Sequence, residues 1–160
     1  MKKYELLESD YVQTPEWCAK DMIDYFKPIG KILDPCRGKN KVFYNSLNNS
    51  DWCEITEGID FFENNNQYDW IIGNPPYSIF NIWIKQSYKI GSNIVYLLPT
   101  FKIFNALSLM RLYRDKGGIK HIRVYDTGKD IEWSRSRPIV ACWFQREYKG
   151  DTSYSYYKKT

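Results

Sequence analysis

The apolar run Asp69-Trp70-Ile71-Ile72-Gly73 leads directly into Asn74-Pro75-Pro76-Tyr77, and this junction restricts the fold more than any other stretch. A continuous apolar run of that length reads as a buried strand of a parallel sheet. Two consecutive prolines, each without an N–H donor, end it. Open α/β sheets place their chemistry just beyond the carboxyl ends of such strands. There the tetrapeptide offers an amide side chain, carbonyls on residues that return no N–H, and an aromatic face. That set suits a flat, amine-bearing substrate.

The rest of the chain alternates in the way a parallel sheet requires. Thr14-Pro15-Glu16 reads as a helix start, with a capping residue, a first-turn proline and an acid at the positive end, and the helix runs to about Phe26. Lys31 to Leu33 is a short strand leading into Asp34-Pro35-Cys36-Arg37-Gly38-Lys39-Asn40, and Val42 to Leu47 is a helix. Trp52 to Ile55, Tyr68 to Ile72 and Asn93 to Leu98 read as further strands; Ile79 to Lys89 and Phe101 to Tyr113 read as amphipathic helices. Ile119 to Tyr125 and Ile139 to Gln145 read as two strands joined by a polar loop. The 160 residues suffice for one core and leave little room for a second. The expectation is one α/β domain over residues 1–149 with a mostly parallel sheet closed by an antiparallel pair, then a frayed tail over 150–160.

Composition excludes several classes. No stretch approaches the ~20 apolar residues of a membrane span, and the N-terminus carries no apolar leader, so a cytoplasmic protein is expected. Four scattered cysteines, no Cys-x-x-Cys pair and one histidine, His121, argue for reduced packing thiols and against a metal site. A net charge of +4 and 18% aromatic residues fit a nucleic-acid partner without demanding one.

Four polar residues, Asp34, Glu54, Asp60 and Asn74, sit beside apolar runs on the same edge of the expected sheet. With the turns around them they resemble the class I S-adenosylmethionine-dependent amino-methyltransferases, particularly small phage and prophage adenine-N6 enzymes. The resemblance implies a single Rossmann-like domain with a seven-stranded sheet, ending in an antiparallel hairpin, and S-adenosyl-L-methionine as cofactor. Asp34-Pro35-Cys36-Arg37-Gly38 is similar to the family's first motif, which wraps the cofactor's methionine portion. Asn40 stands where that motif has its last glycine, and asparagine is among the residues that tolerate positive φ. Glu54, about 20 residues beyond Asp34, has the offset of an acid that holds ribose hydroxyls. Asp60-Phe61 resembles the pair that accepts the cofactor adenine's amine and covers its ring. Tyr11, Thr14 and Pro15 resemble the N-terminal segment that closes over the methionine moiety. The Thr-Pro pair is equally a plain helix start. The Cys36 thiol itself reads as packing, since it lies in the cofactor turn rather than where cytosine-C5 enzymes keep their nucleophile.

Asn74 to Tyr77 resembles the catalytic motif, and its leading asparagine is typical of adenine-N6 rather than cytosine-N4 enzymes. The resemblance implies a simple chemistry. The Asn74 side-chain carbonyl and the Pro75 backbone carbonyl accept the two N–H groups of an exocyclic amine, which frees the nitrogen lone pair and stabilises the charge that develops on it. Pro76 stiffens the turn, Tyr77 stacks on an unpaired or flipped base, and Phe80 is a candidate second wall. Lys129, Trp133, Arg135 and Arg137 form a basic and aromatic segment that either grips phosphate and base or is an exposed hairpin loop. His121 reads as structural.

The expected partner is nucleic acid, DNA ahead of RNA, with no membrane. The chain after Phe144 is short for a target-recognition domain, so the expectation is modification of DNA with little sequence preference, recognition borrowed from a protein partner, action on RNA, or use of the loop around Trp133. A methyltransferase-like binding module without catalysis, such as a phage accessory or anti-defence protein, is the alternative of another class. Methylation of a protein glutamine amide is a third reading.

Overall fold

The computed structural model describes residues 4–127 and 137–158. Seven strands form one sheet, in chain order β1 (Ile32–Asp34), β2 (Asp51–Trp52), β3 (Tyr68–Gly73), β4 (Gly91–Pro99), β5 (Ile119–Thr127), β6 (Pro138–Gln145) and β7 (Ser153–Tyr156), with spatial order β2-β1-β3-β4-β6-β5-β7. Helices α1 (Glu16–Phe26), α2 (Val42–Ser46), α3 (Phe80–Ile90) and α4 (Leu107–Lys116) cover its faces.

The strands β2, β1, β3 and β4 pair in parallel, Leu33 opposite Ile71 and Ile72 opposite Val95. Strand β6 then enters antiparallel between β4 and β5, Tyr96 facing Cys142 and Val124 facing Val140. The period of two along β3 and β4 sorts their side chains between two cores. Ile71, Ile94, Tyr96 and Leu98 pack with Trp83, Ile84, Leu109 and Tyr113 of α3 and α4. Trp70, Ile72, Val95 and Leu97 pack with Cys18, Met22 and Phe26 of α1 and Phe43 of α2. A helix-sheet-helix sandwich results, and it explains why β3 and β4 show no polar alternation: both faces are covered.

The structure departs from the sequence-based expectation in several places, among them β2, which ends at Trp52 rather than Ile55 because Ile55–Glu57 form a separate turn. Residues 153–156 are a strand, paired in parallel with β5, where a frayed tail was expected. The alternation Ser153-Tyr154-Ser155-Tyr156 accounts for it. Both serines hydrogen-bond the His121 ring, at 2.7 Å and 2.8 Å, while Tyr154 and Tyr156 face outward. With the Tyr25 hydroxyl 3.0 Å away as well, His121 has the structural role expected of it. The last helix begins at Leu107 rather than Phe101, because residues 100–102 form a separate single turn after Pro99. Thr14 does not cap α1: Pro15 occupies that position without a side-chain hydrogen bond, and Thr14 is buried. Among the described residues, no helix is long and apolar enough to cross a membrane.

Candidate active site

In the parallel part of the sheet, β1 and β3 are neighbours from which the chain winds outward in opposite directions, so their carboxyl ends leave a crevice between the loops. A cavity with about 740 Å³ of empty space, its open mouth included, lies there. Its walls come from the turn after β1 (Pro35 to Gly38), from the segment after β2 (Glu54, Ile55, Ile59, Phe61), from Asn74 and Pro76 after β3, and from Trp83 of α3.

Each wall has a local cause. The turn after β1 reverses at Gly38, whose φ of 66° favours glycine, and a Cβ added there would lie 3.1 Å from the Gln13 side chain. The Gly38 N–H donates to Glu54 Oε2 at 2.9 Å, while Glu54 Oε1 accepts from the Thr56 N–H and hydroxyl. Burial pushes the Glu54 carboxyl up, but the Thr56 and Gly38 donors and the Arg37 charge outweigh it and hold the group below its ordinary value. The second left-handed residue of this turn is Lys41, φ 53°, not Asn40. Asn40 therefore needs none of glycine's freedom. Its N–H instead donates to Gln13 Oε1 at 3.2 Å.

Asp34 is completely buried beneath the turn. Its Oδ1 accepts the Cys36 N–H at 3.3 Å and its Oδ2 has no hydrogen-bond partner. Burial pushes this carboxyl up to about 7, against the pull of the Cys36 and Tyr44 N–H groups and the nearby Arg37.

Asn74 has two oxygens in different circumstances. Its backbone carbonyl accepts the Cys36 thiol at 3.0 Å, and burial raises that thiol well above its ordinary value, so it stays protonated as a donor at neutral pH. Its side-chain Oδ1 is buried and has no hydrogen-bond partner. Buried acceptors are nearly always paired, and leaving one unpaired costs roughly 1–3 kcal/mol. Asn74 itself lines the cavity, with its Oδ1 covered at the wall.

The segment before α1 closes over the site. Three links hold it: the Tyr4 hydroxyl donates to Asp60 Oδ1 at 2.7 Å, the Asp10 carboxylate accepts the Ser78 N–H at 3.0 Å and the Ser78 hydroxyl, and Gln13 holds Asn40. Beyond Asp10 lies a second hollow, lined by Tyr77, Ser78, Phe101, Lys102 and Arg137.

Of the residues expected at the site, Tyr11, Thr14, Pro35, Cys36, Gly38, Glu54, Phe61, Asn74 and Pro76 line the cavity. Asp34 and Pro15 lie outside its walls, and Pro75 is buried behind them. Asp60 faces two neighbouring hollows instead, its Oδ1 taken by the Phe62 N–H and the Tyr4 hydroxyl. Phe80 is 1% exposed, packed against Tyr96 and Phe144, and walls nothing. Tyr77 and Arg137 meet in the second hollow. Lys129, Trp133 and Arg135 lie outside the described residues.

Neither Arg37 nor Trp83 was assigned a role from the sequence. Arg37 folds back, pairs with Glu57, and lays its guanidinium 3.5 Å from the centre of the Trp52 ring. Trp83 stacks on Phe61, centroids 4.3 Å apart, and makes the aromatic wall double. The helical spacing of α3 marked Trp83 as buried but could not say that its ring reaches the cavity.

No protein-family model matches the sequence, and no curated protein matches it. Solved structures do resemble its fold. A protein from Listeria monocytogenes assigned to the class I S-adenosylmethionine-dependent methyltransferases superposes with a TM-score of 0.68 at 11% identity, over 94% of this chain and 67% of its own. A type I restriction-modification system methyltransferase subunit from Streptococcus thermophilus gives 0.67 at 12% identity, over 91% of this chain and 47% of its own. A protein from Pyrococcus horikoshii assigned as an RNA methyltransferase gives 0.60 at 13% identity, over 91% and 93%. The chain spans less than half the length of the restriction-modification proteins, 45% and 47% of two of them. At these identities the likeness is one of fold, shared with proteins assigned as methyltransferases.

Proposed function

We propose that this chain is an S-adenosylmethionine-dependent methyltransferase acting on the exocyclic N6 amine of adenine in nucleic acid, DNA ahead of RNA. The observation that carries the reading is the unpaired, buried Oδ1 of Asn74 at the end of β3. An acceptor without a donor in the folded chain is satisfied by a substrate that brings an N–H, and an exocyclic amine brings two.

The cavity suits the cofactor. Gly38 gives close backbone approach, Glu54 presents a carboxylate held in its charged form, and Phe61 on Trp83 offers an aromatic surface. When bound, S-adenosylmethionine supplies an electrophilic methyl group. The chain's own contribution is orientation and charge stabilisation. Asn74 Oδ1 accepts one amine N–H, the Pro75 carbonyl accepts the other once substrate displaces the wall in front of it, and both oppose the positive charge that grows on nitrogen. Neither needs to take a proton, so no strong base is required. The Cys36 thiol, bonded to the Asn74 carbonyl, ties the tetrapeptide to the cofactor turn.

DNA is placed first because restriction-modification methyltransferases are among the fold's neighbours, and RNA second because an assigned RNA methyltransferase is another. Asn40 lends no support to a non-catalytic module, since the turn asks no positive φ of it. Calorimetry with S-adenosylmethionine, followed by transfer of a labelled methyl group to single- and double-stranded DNA and RNA, tests the reading. Wild-type protein is expected to bind the cofactor and methylate nucleic acid, and Asn74→Ala to bind it within a few-fold while losing transfer ~10²-fold or more. Equal transfer by both proteins, or cofactor binding with no transfer to any nucleic acid, contradicts it.

A further inference from the structure

The second hollow has no role in the chemistry above. Its empty space is about 1040 Å³, open solvent included, and it meets the first cavity at Asp10, which lines both. Tyr77 of the catalytic tetrapeptide forms one wall, so whatever enters lies next to the transfer site.

The opposite wall is built from the turn Thr100–Lys102 that follows β4. Phe101 at its centre is 45% exposed and belongs to neither core. The Arg137 guanidinium lies 4.8 Å from the centroid of its ring, and the Lys102 ammonium lies 5.6 Å from it. Among the described residues, neither cation forms an ion pair, and the one carboxylate in the wall, Asp10, is engaged by Ser78 and the Leu7 N–H. A solvent-facing aromatic ring flanked by two cations that pair with no carboxylate among the described residues matches a nucleotide in both its parts. The ring and the guanidinium plane are surfaces on which a base stacks, and the two charges face a phosphate.

We infer that this hollow is a nucleotide subsite for the neighbour of the target base, and that the nucleic acid it takes is single-stranded; the inference rests on the methyl-transfer reading. In an intact duplex both faces of that neighbouring base are covered by stacking, and flipping the target alone leaves it stacked on its other side and paired. Phe101 and Arg137 gain contact only with a base already free of its helix. The subsite is indifferent to sequence, because every base has a face to stack.

Fluorescence anisotropy with end-labelled 12-nucleotide oligo(dT), oligo(U) and a DNA duplex of the same length tests this without requiring catalysis, since thymine and uracil have no exocyclic amine. Oligo(dT) or oligo(U) is expected to bind more tightly than the duplex, and their ratio tells which sugar the hollow prefers. Phe101→Ala is expected to weaken single-strand binding about tenfold and Phe101→Trp to keep it. Lys102→Gln should make the salt dependence shallower by about 0.7 in log-log slope. Thermal unfolding and calorimetric cofactor affinity of Phe101→Ala should equal wild type. Unchanged single-strand binding in Phe101→Ala, duplex bound as tightly as single strand, or no binding of any oligonucleotide overturns the subsite. The methyl-transfer reading stands apart from these outcomes, because cofactor binding and the Asn74→Ala comparison address it directly.

Discussion

Asn74 and Asp34 each bury an oxygen without a partner, and the two oxygens differ in what they can meet. Asn74 lines the cavity and is neutral, so its unpaired carbonyl costs roughly 1–3 kcal/mol, less than a buried charge would, until a donor meets it. Asp34 is shut beneath the cofactor turn, and its carboxyl meets the desolvation by holding a proton up to about pH 7. The consequence is a stability that depends on pH in a definite sense. The unfolded chain releases that proton near the ordinary carboxylate value of 3.8, the folded chain only near 7. Between these values the folded state binds more protons, so the contribution of Asp34 is fully present below about 4 and is lost as pH rises through about 7. Urea unfolding of the cofactor-free protein is therefore expected to show wild type losing stability relative to Asp34→Asn from pH 5 to pH 8. A difference that stays constant, or a wild type that gains stability relative to Asp34→Asn over that range, contradicts the assignment. At this scale the sequence exposed what is local. Asn74 to Tyr77 and Gly38 were legible because proline restricts the backbone and glycine permits a left-handed turn whatever surrounds them. The engagement of Asp60 by Tyr4 was not, because the partners are separated by 56 positions and nothing in either neighbourhood points to the other. Nor could a sequence say that Lys41 rather than Asn40 would take the left-handed backbone.

Among the elements, the segment Tyr4 to Gln13 is the one whose links to the rest of the chain are least visible in the sequence. It contains a single short turn, Glu8–Asp10, yet three long-range hydrogen-bonded links hold it across the mouth of the cavity. Asp10 is the central link, accepting from Leu7 and from both donors of Ser78. Asp10→Ala is expected to raise amide exchange over residues 4–13 and to weaken cofactor affinity about tenfold, with the unfolding midpoint nearly unchanged because the residue is not in a core. Exchange equal to wild type would show that the segment is held by other means. Strands β3 and β4 and helices α1 and α3 were readable from apolar runs, helical spacing and proline boundaries. Strand β7 was not, because its tyrosines face solvent and its serines pair with a histidine 32 and 34 positions earlier. A strand held by polar contacts leaves no hydrophobic period to read.

Across the whole molecule the sheet order explains why the parts meet. Parallel pairing of β2, β1, β3 and β4 puts the turn after β1, the acid after β2 and the tetrapeptide after β3 on one rim, though they are spread from residue 35 to residue 77 in the chain. The antiparallel entry of β6 then brings Arg137, just ahead of it, beside the end of β4, where Phe101 and Lys102 stand. Cofactor cavity and second hollow are thus two compartments of one sheet edge, divided by Asp10 and Ser78. The central claim is that this edge directs a methyl group to the amine of adenine. Transfer of a labelled methyl group to mixed-sequence nucleic acid, followed by complete digestion and separation of the nucleosides, tests it most directly. The account predicts label on N6-methyladenine nucleosides, lost in Asn74→Ala; label on cytosine nucleosides, label on protein glutamine alone, or label that survives Asn74→Ala would contradict it.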